Sequence, residues 1–198
     1  MSLETELKFL DVRHAMLRAA LEAVGAVKTA EPYFEENVVF DDASHSLRSR
    51  GVLLRLRMKR GLAVLTVKRP PAAPVSDVLK VYEEYETDVG DFEQASLALG
   101  ALGYAPAFRY EKVREKWRAE DVTVCLDLLP FGEFAELEGS EEAVLSLAHR
   151  LGLDRASASK ANYHELNRAY RSRSGLLSED SFVFPEEMAA RLRRLYEG

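Results

Sequence analysis

Glu4-Thr5-Glu6-Leu7-Lys8, flanked by Leu3 and Phe9, places two carboxylates and an ammonium at alternate positions. Successive side chains of an extended strand point to opposite faces. Glu4, Glu6 and Lys8 therefore share one face, and Leu3, Leu7 and Phe9 share the other. The same device returns down the chain. Arg55, Arg57 and Lys59 oppose Leu54, Leu56 and Met58, and Lys68 shares a face with Val64 and Thr66. Glu84, Glu86 and Asp88 align with Lys80 and Tyr82. Lys112, Arg114, Lys116 and Arg118 oppose Val113 and Trp117, but also Glu111 and Glu115. Glu136 and Glu138 align with Phe134 against Ala135 and Leu137.

Each strand alone reads as the solvated face of an antiparallel sheet, where cross-strand charge pairs contribute about 0.2–1 kcal/mol. Together they say more, because the signs are sorted strand by strand instead of interleaved. If the sheet closes, these faces line a wet interior that needs guests to balance it. The acidic set suits a hard divalent cation, magnesium or manganese, because His14, His45, His149 and His164 show no ligand spacing and read as surface or packing residues. The basic set suits the oxygens of a polyanion. There is no glycine-rich phosphate loop.

The 198 residues suffice for one full core, and 47% hydrophobic with 30% charged residues describes a globular chain. A net charge of −6 gives no overall basic field for nucleic acid or anionic membrane, so neither is an expected partner. The lone cysteine, Cys125, reads as a buried strand residue and fits a reducing compartment. No apolar run reaches the roughly 18 residues that span a bilayer, and no secretory pattern opens the chain, so a cytoplasmic location is expected. Met1-Ser2-Leu3 and Glu197-Gly198 carry no functional weight.

In chain order, Asp11 is expected to cap a helix with Val12, Ala15, Met16, Ala19, Ala20 and Ala23 at helical spacing, ended by Gly25. Strands are expected at 27–40, 52–59 and 62–69, with Asp41 to Ser44 a turn, 47–51 a lead into the second of them, and a hairpin turn at Arg60-Gly61. Pro70, Pro71 and Pro74 mark an exposed loop, followed by a strand over 78–89. Asp91 caps a second helix ending at Gly103, three strands follow at 108–118, 122–128 and from Phe131 or Glu133 to Glu138, and Ser140 caps a third helix. Helical patterns resume at 159–170 and after Pro185, where Arg191, Arg193 and Arg194 face a polar surface, and 172–181 reads as a mobile connection. About eight strands joined by short turns and interrupted by helices indicate an antiparallel barrel or strongly curved sheet with helices outside.

These residues resemble the CYTH domain, or triphosphate tunnel metalloenzyme, family. Glu4-x-Glu6-x-Lys8 matches its N-terminal signature, Arg55-x-Arg57 its paired arginines, and Thr66-x-Lys68 its threonine-lysine strand. Glu84-x-Glu86, Lys112-x-Arg114, Asp127 and Gly132-x-Phe134-x-Glu136-x-Glu138 follow in the family's order. The resemblance implies an α+β fold: an eight-stranded antiparallel β-barrel forming a tunnel, with helices packed outside, over residues 1–171. Residues 172–198 are then an appendage of the same domain. By similarity, Lys8, Arg55, Arg57, Lys68, Lys112 and Arg114 bind substrate phosphates. Glu4, Glu6, Glu84, Glu86, Asp127, Glu136 and Glu138 bind Mg2+ or Mn2+ or orient the basic residues. Glu4, Glu6, Lys8, Glu84 and Glu86 form the catalytic set. Many members have arginine where this chain has Tyr82, so the resemblance implies that one phosphate contact is either missing or supplied by Lys80, Arg48 or Arg69. Ser159 to Tyr163 is loosely similar to a C-terminal Ser-Tyr element.

The expected activity is metal-dependent hydrolysis of a triphosphate (tripolyphosphate, ATP or thiamine triphosphate) by a monomer or homodimer. Two alternatives stay open: a class IV adenylyl cyclase making cyclic AMP and pyrophosphate, and a non-catalytic polyphosphate- or nucleotide-binding module. The retained glutamate pairs speak against the third.

Overall fold

The charged and apolar alternation builds eight long strands: β1 (Ser2–Phe9), β2 (Val27–Asp41), β3 (Leu53–Lys59), β4 (Leu62–Arg69), β5 (Lys80–Val89), β6 (Ala105–Ala119), β7 (Val122–Leu129) and β8 (Gly132–Glu138). Six helices accompany them among the described residues: α1 (His14–Ala23), α2 (Ser46–Ser49), α3 (Phe92–Ala101), α4 (Glu141–Arg150), α5 (Tyr163–Arg173) and α6 (Glu186–Tyr196). The computed structural model describes residues 2–73 and 75–196, so Pro74 of the proline loop, Met1, Glu197 and Gly198 lie outside the described residues.

The strands pair antiparallel in the order β5-β4-β3-β2-β6-β7-β8-β1. β1 then pairs back onto β5, from Ser2 opposite Glu84 to Glu6 opposite Lys80, which closes the sheet into an eight-stranded barrel. On its other edge β1 meets β8, with Glu6 opposite Glu138 and Lys8 opposite Glu136. A two-residue strand β9 (Ala158–Ser159) adds to the end of β1.

The barrel is inverted with respect to polarity. The apolar parity of each strand points outward and is covered by helices. Leu7, Phe9, Val124, Leu126 and Leu137 pack under α1 and α4 through Leu17, Leu21, Val144 and Leu147. Val38, Phe40, Leu54 and Leu56 pack under α2 and α3 through Leu47 and Leu99. Phe34 and Val113 meet Phe184, Ala189 and Leu192 before and within α6. Each such buried side chain contributes about 1.5–3 kcal/mol, so the stability of the fold lies outside the barrel wall.

Local chemistry sets the punctuation. Arg60 (φ 49°) and Gly61 (φ 72°) both take positive φ, as a two-residue hairpin of the mirror-image type requires. Asp91 accepts from the backbone N–H groups of Glu93 (2.8 Å) and Gln94 (3.0 Å) and caps α3 as expected. Ser140 caps α4, and Gly25 (φ 77°) follows α1.

Several expectations need correction. Asp11 does not cap α1: it sits at φ 55°, the helix begins at His14, and Glu133 of β8 accepts the His14 N–H at 2.7 Å instead. The buried face of α1 is His14, Leu17 and Leu21, whereas Met16 is 68% exposed. Residues expected to lead straight into β3 form α2, whose Leu47 and Arg48 N–H groups donate to Asp41 at 3.0 Å each. Asp41 therefore belongs to the end of β2. Val78 and Leu79 precede β5, and the helix expected from Ser159 starts at Tyr163 behind an Asn162–Glu165 capping box. Arg193 faces the barrel, bonded to Glu36 (2.5 Å) and Glu111 (2.7 Å). The stretch 172–181 begins inside α5 and is fastened at its far end: Asn167 donates to the Glu179 carbonyl at 2.9 Å, and Phe182 forms a parallel bridge with Tyr110 of β6.

Leu137, fully buried under α1 and α4, provides a test of where stability resides. Leu137→Ala is expected to cost about 2–5 kcal/mol. Urea denaturation should show a lower midpoint with an unchanged slope.

Candidate functional site

The inward parity of the strands carries the charges, and the barrel holds them in a connected network. Asp127 of β7 is fully buried and lies opposite Arg114 of β6. It accepts from Arg114 Nε (2.6 Å), Lys112 Nζ (3.0 Å) and the Tyr163 hydroxyl (2.8 Å). Arg114 also bonds Glu136, which pairs with Lys8 at 2.7 Å, and Lys8 reaches Glu6 at 3.1 Å. Across the barrel, Arg57 bonds Asn37 (3.0 Å) and Glu35 (3.3 Å), and Lys112 lies 3.6 Å from Glu35. Arg55 donates to the Tyr110 hydroxyl (3.0 Å) and to Thr66 (3.2 Å), which donates to Glu86 (3.1 Å). Lys68 bridges Glu4 and Glu84.

This network fixes protonation. Burial opposes the charge of Lys8, but the Glu136 and Glu6 carboxylates outweigh it and hold the ammonium well above its ordinary range. Burial likewise opposes ionisation of Glu35, and Arg57, Lys112 and Arg114 overcome it, leaving its pKa depressed. Asp127 and Glu136 are lowered despite burial, by Arg114 with Lys112 and by Lys8 with Arg114 respectively. Two groups move the other way. Burial raises Glu138, with Glu136 and Glu4 adding to it, and burial with Lys8 nearby lowers Lys80.

A cavity of about 490 Å³ opens among these groups, within the size range of small-molecule sites. Glu4, Glu6, Lys8, Arg55, Arg57, Lys68, Lys112, Arg114 and Glu136 line it together with Lys80 and Tyr82. Of the acidic residues singled out from sequence, Glu4, Glu6 and Glu138 bring carboxylate oxygens within 4.8 Å of one another. That all-oxygen set suits a hard divalent cation. Glu84, Glu86 and Asp127 are engaged with Lys68, Thr66 and the Lys112–Arg114 pair, and neither they nor Glu138 line the cavity. Cys125 is buried as expected, although on the inward face, where it shares a cluster with Glu136 and Glu138. His14 packs against the Phe134 carbonyl, His45 is exposed and His164 is buried against Phe108, as surface and packing residues, and the last two also line the cavity.

Four interior residues were given no role from the sequence: Glu35, Asn37, Tyr110 and Tyr163, the last named only within the loosely similar Ser-Tyr element. Parity marks three of them, since Glu35 and Asn37 alternate with Val39 in β2, and Tyr110 precedes Lys112 and Arg114 in β6. Tyr163 arrives from α5, and strand parity cannot reveal it. It lies against Lys8 and Lys112, its ring centroid 4.7 and 5.5 Å from their ammonium groups. Among the described residues, Arg55 Nε and Asn37 Nδ2 are buried donors without a protein acceptor. Such groups cost free energy unless a partner arrives.

The sequence matches the CYTH domain over residues 2–160. The chain belongs to the CYTH family. Solved structures agree on the fold. A candidate adenylate cyclase from Vibrio parahaemolyticus is 22% identical with TM-score 0.74, covering 84% of this chain and 98% of its own. A Pyrococcus horikoshii protein is 25% identical with TM-score 0.69, covering 82% and 98%. A candidate adenylyl cyclase from Hippeastrum, described as having a dominant triphosphatase activity, is 19% identical with TM-score 0.60, covering 91% and 99%. No curated protein matches the sequence significantly. No helix among the described residues of this CYTH protein is long and apolar enough to cross a membrane.

Asp127→Ala removes the shared acceptor of two buried cations and is expected to cost about 3–5 kcal/mol, read by chemical denaturation. The acid limb follows from the depressed carboxyls. Glu35, Asp127 and Glu136 take up protons in the unfolded chain before the folded one. Their stabilisation is therefore complete above about pH 5 and falls away as pH drops toward about pH 2, with Glu138 partly opposing. Denaturation midpoints measured across that interval should decline steadily.

Proposed function

We propose that this protein is a divalent-metal-dependent enzyme that acts on a triphosphate held in the barrel, with hydrolysis as its reaction. One observation carries the reading: Glu4 and Glu6 line the same cavity as six substrate-class cations, from Lys8 to Arg114. Acids gathered for a metal and bases gathered for an oxyanion chain face one space.

The chain's own groups would act mainly by position and charge. Arg57, Lys112 and Arg114 are held by Glu35 and Asp127, so their orientation is set before a ligand enters. Arg55, tethered by Tyr110 and Thr66, keeps its Nε free of protein acceptors and would give that bond to a phosphate oxygen. Lys80, on the cavity wall near Glu6 at 3.9 Å, stands beside Tyr82 and would supply the cation that Tyr82 lacks. Glu4, Glu6 and Glu138 would hold magnesium or manganese, which supplies Lewis-acid neutralisation of phosphate oxygens when bound. Glu84 and Glu86 support this arrangement from behind, through Lys68 and Thr66.

Cyclisation of ATP is the second reading, favoured by the fold shared with the Vibrio parahaemolyticus candidate cyclase. The triphosphatase activity ascribed to the Hippeastrum protein supports hydrolysis ahead of it. Incubation with ATP, tripolyphosphate or thiamine triphosphate and magnesium or manganese separates them. Orthophosphate is the expected product; cyclic AMP with pyrophosphate would instead establish the cyclase, and binding without turnover a non-catalytic module.

Glu6→Gln removes one charge from the carboxylate cluster without changing its size. Turnover is expected to disappear in this variant, and in the wild type after chelation of divalent metal, both read as product release. Full activity of Glu6→Gln would sink the metal assignment.

A further inference from the structure

The two ends of the cavity are unlike. One end is rimmed by Arg48 and Asp180, which pair at 3.5 Å and whose side chains are 45% and 43% exposed. The other end stops at Glu4, Arg57 and Arg114. Beyond that limit three further residues of the inward parity follow: Tyr33 on β2, Val64 on β4 and Cys125 on β7. Tyr33 pairs with Arg114, Val64 with Arg57 and Cys125 with Glu136, so all three sit level with the innermost charged residues.

Tyr33 is 5% exposed, and Val64 and Cys125 are fully buried. None of the three belongs to the apolar clusters that the helices cover, so their burial comes from inside the barrel. An eight-stranded barrel is just wide enough for side chains to fill. On the solvent side, Arg60 of the β3–β4 hairpin lies over the Tyr33 ring, its guanidinium carbon 4.5 Å from the centroid. The same guanidinium donates to the Glu31 carbonyl at 3.0 Å, which anchors it there. A cation on the face of a ring is held electrostatically, so Arg60 restrains Tyr33 from outside.

Side chains packed to the density of a protein interior leave no passage for a hydrated anion. We infer that the barrel is a blind chamber. Tyr33, Val64 and Cys125 form its floor, Arg60 clamps the floor from outside, and all traffic uses the Arg48–Asp180 mouth. The seal is a property of the chain alone and goes beyond the triphosphate reading. Under that reading it adds an order of release, since a fragment lodged against Arg57 and Arg114 leaves only after the fragment nearer the mouth.

Cys125 is the only cysteine of the chain and stands in the floor, so its modification by a charged methanethiosulfonate, read as a mass increase, reports on the seal. In the wild type the thiol should react about a hundredfold or more slowly than in the urea-unfolded chain, because a buried group reacts only through opening. Tyr33→Phe, which keeps the ring beneath Arg60, should stay slow. Tyr33→Ala should react faster, and Leu137→Ala calibrates how much of that rise destabilisation alone produces; Tyr33→Ala should exceed it by about tenfold. Arg60→Ala, on the exposed hairpin, should give a severalfold rise and carries the test if Tyr33→Ala does not fold. Tripolyphosphate, added until it raises the thermal midpoint, occupies the mouth side and should not protect the thiol of Tyr33→Ala. A wild-type rate equal to that of the unfolded chain overturns the blind chamber. So does protection by tripolyphosphate, or a rise in Tyr33→Ala and Arg60→Ala no larger than in Leu137→Ala. A thermal midpoint that tripolyphosphate leaves unmoved overturns the triphosphate reading instead, and the comparison of rates then decides the seal by itself.

Discussion

The carboxylate of Asp127 is the interaction on which the interior depends. It is fully buried and accepts from a lysine, an arginine and a tyrosine contributed by β6 and α5. Removing such charges from water costs several kcal/mol per ion unless each is paired and hydrogen-bonded. Asp127 meets that demand for Lys112 and Arg114, and Glu136 and Glu35 meet the rest of it. Cations are therefore stiffly oriented yet retain open directions, and the orphaned Arg55 Nε shows where the network stops short of self-sufficiency.

Such an interior is tolerable only because cohesion comes from elsewhere. Helices cover the outward apolar parity of the barrel in three clusters, so the wall is stabilised from outside and its lumen is released from packing. A fourth cluster, around Val39, Phe134, Tyr163 and Phe182, is the exception. It brings apolar groups onto the inward parity at one end, and there the helix α5 and the segment after it enter the site.

Much of this was legible in the sequence because strand parity is a period-two code. The Glu4-Glu6-Lys8, Arg55-Arg57 and Lys112-Arg114 alternations face inward together. The same code contains Glu35 and Asn37, but they lie in a strand dominated by aromatic and aliphatic neighbours, where a single carboxylate does not stand out. The inward place of Tyr163, named only within a loosely similar Ser-Tyr element, and that of Asp180 were not legible, since they follow from how α5 and the later segment pack, and no local periodicity encodes that. The start of α1 shows the same limit. Asp11 has the composition of a cap, yet Glu133, more than a hundred residues away, occupies the role. Pairing among acids was also beyond reach: which glutamates converge and which serve lysines depends on barrel register.

The register of β1 has a kinetic consequence. This strand is made first but pairs with β5, β8 and β9, so its partners include some of the last strands to be synthesised. Until residue 138 exists, β1 lacks its β8 partner, and the nascent sheet retains open edges that invite association with other chains. Loop closure of this span slows folding relative to a chain of local contacts. The carboxylates of Glu4 and Glu6 meet Glu138 across the β1–β8 seam, so this acidic cluster exists only in a chain whose barrel has closed.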